Sequence, residues 1–359
     1  MGDQTTLTLS IMFGWLTVVV ALYRLLGPRL ATLAAVLGGC LFLVNVQVET
    51  PLPLRIQVLK NTVTGAGILL GVLVFDRQAL RGARPRWSDA PMIAYAVLPM
   101  FGLLSAGWVG ASDAVDEVLQ RTLCWVVPYG AGRLYFGGDD GPRAVGAGVV
   151  VATLCLVPVC LFETIMGPRW YLSGLVYGTH FVPFMVERLG GWRPEGFFND
   201  GIALATWMAL GSSVAFWMWL GRGWRLGRSP AWLPPAVLVA TTIACRGVYG
   251  YIGLAIGLVA TLLTQMLRTR WVICAVALIA PVYIALRVSG QWDARALVAA
   301  GERLVPGRGG TVLVRLESED QVIVQVLGRN SVLGFGNHMW NPGEVHATFK
   351  AHWPDGWWL

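Results

Sequence analysis

The sequence predicts an all-α membrane protein whose chain crosses the bilayer about ten times. Of its 359 residues, 55% are hydrophobic and only 13% are charged, and the mean hydropathy is +0.60. This composition is typical of polytopic membrane proteins and excludes an ordinary soluble domain. The 17 tryptophans suit aromatic belts at the membrane surface, and the 44 glycines suit close packing between helices.

Apolar segments long enough to cross the hydrocarbon core define the predicted spans, because a helix of ~20 residues crosses it. They lie at about 7–26, 30–48, 56–75, 90–110, 118–136, 144–162, 200–220, 231–245, 247–267 and 271–288. We find no internal repeat among them. The predicted membrane domain therefore covers 1–288, and 289–359 forms a separate segment in which 294–304 has the pattern of a short amphipathic helix.

Arginines set the predicted orientation, because loops rich in basic residues stay in the cytoplasm. They follow spans one, three, seven and nine, at Arg24, Arg29, Arg77, Arg81, Arg84, Arg86, Arg222, Arg225, Arg228, Arg268 and Arg270. These alternate loops agree on one orientation, which places the loop 163–199 and the segment 289–359 outside. We interpret the net charge of +7 as topology signal and anion binding, with no nucleic-acid partner.

One arginine, Arg246, interrupts the long apolar stretch 231–270. A charge at the bilayer centre costs at least ~2.5–3.5 kcal/mol. The stretch is also too long for one helix, and Gly247, Gly250 and Gly253 relax the backbone next to the charge. The sequence therefore predicts that Arg246 lies between two short helices and faces a polar cavity.

Other arginines on the predicted outer side would complete an anion site. Arg188 and Arg193 lie in the external loop, and Arg121 joins them if it falls in the outer half of span five. Guanidinium groups bind phosphate oxygens through two parallel hydrogen bonds, which suits a diphosphate head group. The alternative for the two loop arginines is snorkelling at the interface. The alternative for Arg121 is a structural pair with Glu117.

Three of the four histidines lie in 289–359, at His338, His346 and His352. Their spacing, with Pro342 and Pro354 nearby, does not match a metal site on a helix, so we predict no metal and no cofactor. The six cysteines form no CxxC pair, which argues against zinc and against a disulfide framework. One histidine is a candidate general base for a hydroxyl, and the alternative is an ordinary solvated residue.

The segment RPEGFFNDGIALA, at 193–205, resembles a motif of bacterial O-antigen ligases and of related O-antigen or exopolysaccharide polymerases. That motif reads R-x-x-G-x-F-x-N/D-x-N-x-x-A, and the segment follows it with a shorter spacing after Asp200. The matching positions are Arg193, Gly196, Phe198 (or Phe197) and Ala203. Gly201 stands where the family has Asn.

Three further segments resemble the same family, in the family's order. CRGVYGYIGLAIGL, at 245–258, resembles its S-R-G segment with Cys245 in place of Ser. The region 314–336 resembles the R…(P)-x-x-G-x-G region through Arg315, Gly334 and Gly336, without the proline. HATFKAHWPDG resembles the H-N-x-n-G stretch, with His346 as the histidine and Ala347 in place of Asn.

The resemblance covers roughly 180–359 and implies metal-independent glycan transfer at the outer face of the bacterial inner membrane. The donor would be linked to undecaprenyl diphosphate, and the acceptor would be a hydroxyl of a glycan or a lipid A-core. Arg193 and Arg246 would stabilise the diphosphate, and His346 would be the base, with Glu195 or Asp200 as the alternative base. The substrate-binding candidates are Arg121, Arg188, Glu195, Arg315 and His352.

Two other classes of protein remain open on the sequence. A transporter or flippase of a lipid-linked or anionic solute would use the same arginines and a broken helix at Arg246, but no base. A non-catalytic membrane subunit is the third alternative. Members of the family continue with further spans after the external segment, so we expect a continuation beyond Leu359, or else an inactive protein.

Overall fold

The computed structural model describes residues 2–43, 48–49, 57–82, 84–106, 110–168, 187–188, 190–198, 200–222, 225–293, 295–304 and 309–330. The helices are α1 (Gly2–Phe42), α2 (Lys60–Phe75), α3 (Arg77–Gly82), α4 (Ala90–Ala106), α5 (Ala111–Arg121), α6 (Val127–Phe136), α7 (Gly141–Met166), α8 (Gly201–Arg222), α9 (Leu233–Ala244), α10 (Val248–Leu267), α11 (Trp271–Val288), α12 (Arg295–Leu304) and α13 (Gly309–Asn330). Two antiparallel hairpins pair β1 (Val48–Glu49) with β2 (Gln57–Val58), and β3 (Glu187–Arg188) with β4 (Gly191–Trp192).

Six helical stretches in the described ranges are long and apolar enough to cross a membrane. They are Leu9–Phe42, Trp87–Ser105, Gly141–Met166, Gly201–Gly221, Val248–Leu267 and Trp271–Val288. Helices α2 and α9 are apolar but have only 16 and 12 residues, fewer than the ~20 that cross the hydrocarbon core. The architecture fits an all-α polytopic membrane protein, but it supports neither the predicted number of about ten spans nor the predicted large external segment near the C-terminus.

The first two predicted spans correspond to the two helical arms of α1, which meet at a kink and are counted above as one stretch, Leu9–Phe42. Its backbone leaves the helical region at Gly27, where φ is 75° and ψ is 162°. The arms fold back on each other, since the Tyr23 and Thr32 hydroxyls are hydrogen bonded at 2.7 Å. The Trp15 ring likewise lies 2.7 Å from the position that a Cβ on Gly38 would occupy. Glycine reaches a positive φ without steric cost, so the predicted boundary between these spans coincides with the turn.

The predicted span at 118–136 is the second reason for the lower count. A π-helical turn, Thr122–Val126, joins α5 to α6 there. Helix α5 is amphipathic and buries Asp116 and Glu117, each 2% exposed. A π turn shifts the face that the following residues present, and acidic side chains do not face lipid. With 11 and 10 residues, α5 and α6 are also too short to cross the hydrocarbon core, and neither is among the six candidate spans.

The chain divides into two compact units. The first unit comprises Met1–Met92 and Gln120–Thr269, and its core is built by α1, α2 and α7 to α10. Buried Leu156, Leu204, Met208 and Leu238 fill the centre between α7, α8 and α9. Helix α10 packs on α8 through a row of glycines. Small residues of this kind let two helix backbones approach closely in a membrane.

The second unit comprises Ile93–Leu119 and Arg270–Leu359. Arg287, 3% exposed at the end of α11, donates to the Leu316 carbonyl at 3.0 Å and pairs with Asp320 at 2.8 Å. Tyr283 donates to Glu319 at 2.6 Å. These contacts join α11 to α13. The amphipathic helix predicted at 294–304 is confirmed as α12.

The glycine contact between α8 and α10 generates a prediction about stability. A Cβ on Gly250 would lie 2.9 Å from the Ala205 carbonyl oxygen, which belongs to the backbone and cannot rotate away. We expect Gly250→Ala to lower the free energy of unfolding by roughly 1–3 kcal/mol through overpacking. The measurement is thermal unfolding of the purified protein in detergent.

Gly253→Ala is the matched control. A Cβ on Gly253 would lie 3.6 Å from the Cβ of Ala209 on α8, which is an ordinary contact distance. It should leave the unfolding temperature unchanged or slightly raised. Equal stability of both variants would contradict the proposed close packing.

Candidate functional site

Four charged side chains of the first unit form what we call the arginine–glutamate cluster: Glu163, Arg193, Glu195 and Arg246. They come from α7, from the loop 190–200 that follows β3, and from the junction between α9 and α10. Charged groups inside a membrane protein are costly and mark functional sites by default. The geometry of each is described in turn.

Glu163 attaches the loop to α7. Its side chain is fully buried, and its Oε2 accepts hydrogen bonds from the backbone N–H groups of Glu195 at 2.8 Å and Gly196 at 2.7 Å. Gly196 has a φ of 55°, a conformation that glycine adopts readily, and this lets two successive N–H groups face one oxygen. Bonds from backbone N–H groups favour the ionised form of a carboxylate. Glu163 therefore acts as the fixed anchor of the loop.

Arg193 and Glu195 lie side by side in the anchored loop, 5% and 1% exposed. Neither the Nε of Arg193 nor either carboxylate oxygen of Glu195 has a hydrogen-bond partner among the described residues. Burial raises the pKa of Glu195 to about 7, the Arg193 charge opposes that rise, and the charges of Glu163 and Asp200 add to it. A buried polar atom without a partner costs about 1–3 kcal/mol, more when charged, so these atoms are suited to a ligand.

Arg246 lies where the apolar stretch breaks, as the sequence predicts. Helix α9 ends at Ala244 and α10 begins at Val248. Arg246 has a φ of 53°, in the left-handed region that arginine rarely adopts, and such strain clusters at functional sites. The Tyr251 hydroxyl donates to the Ile243 carbonyl at 2.7 Å and closes the break. The predicted spans 231–245 and 247–267 are thus confirmed as two separate helices.

Two glycines bring the arginines to one site. The Arg246 guanidinium lies against Gly191, where any Cβ would overlap it, and its Nη1 has no hydrogen-bond partner in the described ranges. Arg193 lies against Gly201 in the same way, and the Gly201 carbonyl oxygen is 3.8 Å from the position of a Cβ on Gly247. A residue with a Cβ at Gly201 would overlap the Arg193 side chain, so a glycine is needed there.

The remaining predicted site residues are placed differently. The Arg188 backbone pairs with Gly191 in the β3–β4 hairpin, next to the Arg246 contact, but its side chain lies outside the description. Arg121 is the last residue of α5 and belongs to none of the six candidate spans, and its side chain already has an interaction partner. Arg315 lies on α13 in the second unit. His346 and His352, like His338, lie outside the described residues.

Two residues at this site were not predicted from the sequence. One is Glu163, an acidic residue at the end of an apolar stretch, which was assigned to a loop; its position beside that stretch is the signal that identifies it. The other is Lys60, whose Nζ donates to the Cys40 carbonyl at 2.9 Å and lies 5.5 Å from the Phe198 ring. Phe198 donates its N–H to the Glu195 carbonyl, so Lys60 supports the anchored loop from α2.

The fold and the site together define a class: a polytopic helical membrane protein with an arginine–glutamate cluster in which Glu163, Arg193 and Glu195 are buried and several polar atoms have no partner among the described residues. No protein-family model matches the chain, and neither a curated protein nor a solved structure matches it significantly.

The anchor contact generates the second prediction. Glu163→Ala would leave two buried N–H groups without an acceptor, at about 1–3 kcal/mol each, so we expect roughly 2–5 kcal/mol of destabilisation. Glu163→Gln keeps an acceptor oxygen of the same length and should cost about half as much or less. Both are measured by thermal unfolding together with limited proteolysis of the loop 190–200. Equal losses in the two variants would mean that the oxygen does not hold the loop.

Proposed function

We propose that this protein transfers a glycan from a lipid-linked diphosphate donor to an acceptor hydroxyl, in the manner of O-antigen ligases and polymerases. The observation that carries the proposal is that the Arg246 guanidinium packs on Gly191, two residues before the buried Arg193 in the anchored loop. These arginines belong to two motifs of the resemblance that are separated by about fifty residues of sequence, and both retain a nitrogen without a partner among the residues described. A diphosphate provides oxygen acceptors for both.

Charge stabilisation is the physical core of the proposed reaction. As the bond between the anomeric carbon and the diphosphate oxygen breaks, negative charge develops on the leaving group. Guanidinium groups already held in place by packing stabilise that charge without having to reorganise, and this effect is commonly the largest in such sites. The buried position of Arg193 strengthens it, because water screens the charges less.

The acceptor side of the proposed reaction needs a base. The acceptor oxygen forms the new bond to the anomeric carbon, and its proton passes to His346. Histidine suits this role because its pKa lies near neutral pH. His346 lies outside the described residues, so its role follows from the resemblance alone. No metal takes part in the proposed reaction.

The proposed location is the outer face of a bacterial inner membrane. Six apolar helices support a bilayer as partner, and the alternating arginine-rich loops support a cytoplasmic position for those loops. The loop 163–199 and the segment 289–359 would then be external, where an undecaprenyl-diphosphate donor meets a glycan or lipid A-core acceptor. The finer count of about ten crossings would require α1 to cross twice and the shorter helices to cross as well.

A transporter or flippase of a lipid-linked anion is the second candidate, and the break at Arg246 favours it. Discontinuous helices that expose a charged residue are typical of transporter binding sites. The two functions share the arginines and differ in the product: an enzyme forms a new glycosidic bond, and a transporter moves the unchanged lipid.

The third prediction tests the arginine site. Arg246→Lys keeps the positive charge and places another non-glycine residue at this positive φ, but it loses the planar guanidinium that donates two parallel hydrogen bonds. We expect it to lower glycan transfer by at least ~100-fold, the loss typical for removal of one oriented donor to a developing anion. The assay follows transferred product from an undecaprenyl-diphosphate-linked glycan in detergent. Arg228→Lys, at an exposed position, is the control and should transfer normally.

Near-normal transfer in Arg246→Lys would contradict the role of the guanidinium. Absence of any product with the unaltered protein, combined with movement of the intact lipid across vesicles, would favour the transporter.

The fourth prediction tests the base. His346→Ala should lower turnover by roughly 10²–10⁴-fold while donor binding, which depends on the arginines, persists. His338→Ala and His352→Ala are the matched controls and should be milder. If the three substitutions together leave turnover unchanged, the base lies elsewhere.

A further inference from the structure

The Glu195 side chain makes no hydrogen bond in the anchor contact and has no role in the reaction steps proposed above. Its carboxylate is 1% exposed, and neither oxygen accepts a hydrogen bond from any residue of the described ranges. A purely structural carboxylate at this depth would be paired, because leaving one charged and unpaired is strongly destabilising. Glu195 therefore needs either a proton or a ligand.

The charges around Glu195 indicate that it takes up a proton when a ligand binds. With all groups ionised, the acidic Glu163, Glu195 and Asp200 balance the basic Arg193, Arg246 and Lys60, so the surroundings of Glu195 carry no net charge. A diphosphate diester brings two negative charges into this buried space. The site can accept it favourably only if one carboxylate is neutral, because a low dielectric strengthens the repulsion between like charges.

The two carboxylates differ in their hydrogen bonds. Glu163 accepts two backbone N–H groups at 2.8 Å and 2.7 Å, and these bonds favour its charged form. Glu195 accepts none from the described part of the chain and lies beside Arg193, where a phosphate oxygen would bind. A protonated carboxyl gains an O–H donor that a phosphate oxygen can accept.

We propose that Glu195 binds the donor in its protonated form, donating a hydrogen bond to a phosphate oxygen held by Arg193, so that the diphosphate binds together with one proton from solvent. The identity of the anion as a lipid-linked diphosphate rests on the proposed function. The coupling between anion and proton rests on the cluster itself.

The charged groups around Glu195 set the direction of its pH dependence. Arg193 faces it from its own loop, Glu163 from α7 and Asp200 from the N-terminus of α8, while Lys60 and Arg246 contact the loop at Phe198 and Gly191. Burial, with the two carboxylates, raises the pKa of Glu195 to about 7 against the opposing effect of Arg193. A bound anion raises it further. Affinity is therefore fully present below pH 7 and falls as the pH rises through that value.

The fifth prediction is a measurement of affinity against pH. The probe is an undecaprenyl-diphosphate-linked N-acetylglucosamine, in which both phosphates are diesters that do not titrate near neutrality. Isothermal titration of the purified full chain in detergent should show affinity falling about 30-fold between pH 6 and pH 8.5, as linkage of one proton at a pKa of about 7 requires.

Substitutions assign that slope to one residue. Glu195→Gln keeps a donor but cannot release a proton, so its affinity should change less than about 3-fold over the same range. Glu187→Gln, an exposed acidic residue of β3, is the matched control and should keep the full slope. Glu195→Asp should also keep the slope with weaker binding, and it serves if the Gln variant does not fold. A slope that persists in Glu195→Gln, or is absent from the unaltered protein, overturns the inference.

A second probe separates this inference from the proposed function. Uridine diphosphate N-acetylglucosamine has the same diphosphate diester without the lipid. If it binds with the Glu195-dependent slope and the lipid-linked probe does not bind, the inference stands and the lipid-linked donor is wrong. If the lipid-linked probe binds with no pH dependence, the proposed donor stands and the role of Glu195 is wrong. If neither binds, both are wrong.

Discussion

The Glu163 carboxylate holds the loop 190–200 to α7, and the positions of the other charged groups follow from that contact. One oxygen accepts the N–H groups of Glu195 and Gly196, which orients the loop so that Arg193 and Glu195 are both buried. An ionised side chain in an apolar interior persists only when hydrogen bonds compensate it. Here the compensation comes from the backbone of the loop, so the hydrogen bonds that allow Glu163 to be buried also fix the conformation of the loop that carries Arg193 and Glu195.

A second constraint comes from the glycines around the site. Gly247 and Gly250 bring α10 onto Ala205 of α8, and this close approach places the α9–α10 break beside the anchored loop. Gly191 and Gly201 then leave the volume that the two guanidinium groups occupy. Backbone approach and side-chain space are thus supplied by residues without a Cβ, which is a common device at helix interfaces in membranes. The strained backbone of Arg246 is tolerated because packing on both sides determines it.

The cluster that results is electrically balanced but incompletely hydrogen bonded. Arg193, Glu195 and Arg246 each keep at least one polar atom without a partner in the described residues, while Glu163 is half satisfied. Fully paired networks rigidify a core, and partly paired ones are expensive unless a ligand completes them. This combination suits a site for a doubly charged anion and explains why the same arrangement is compatible with transfer chemistry or with transport.

Much of the architecture follows from the sequence alone, because hydropathy and glycine act locally. Apolar runs locate α4, α7, α8, α10 and α11, and the break at Arg246 is predicted because a long apolar run cannot hold a central charge. The number of membrane crossings cannot be predicted from local sequence in the same way. Whether α2 or α9 crosses depends on what packs against it, and the bend at Gly27 and the π turn after Arg121 redistribute predicted spans without changing their composition.

The residues of the site also fall into two groups, those predicted from the sequence and those identified only by the tertiary structure. Arginine in apolar sequence identifies Arg246 as a candidate, since the cost of burying a charge can be read from one residue and its neighbours. Arg193 is a candidate as an arginine of the predicted external loop and through the resemblance. Glu163 and Lys60 escape such reasoning, because each ends or begins an apolar helix, where a charge is ordinary. Only the tertiary structure, by folding the loop onto α7 and α2, makes them part of the site. The sequence by itself determined which helices form and which charges need partners; the tertiary structure decided which partners they meet, because those contacts join residues far apart along the chain.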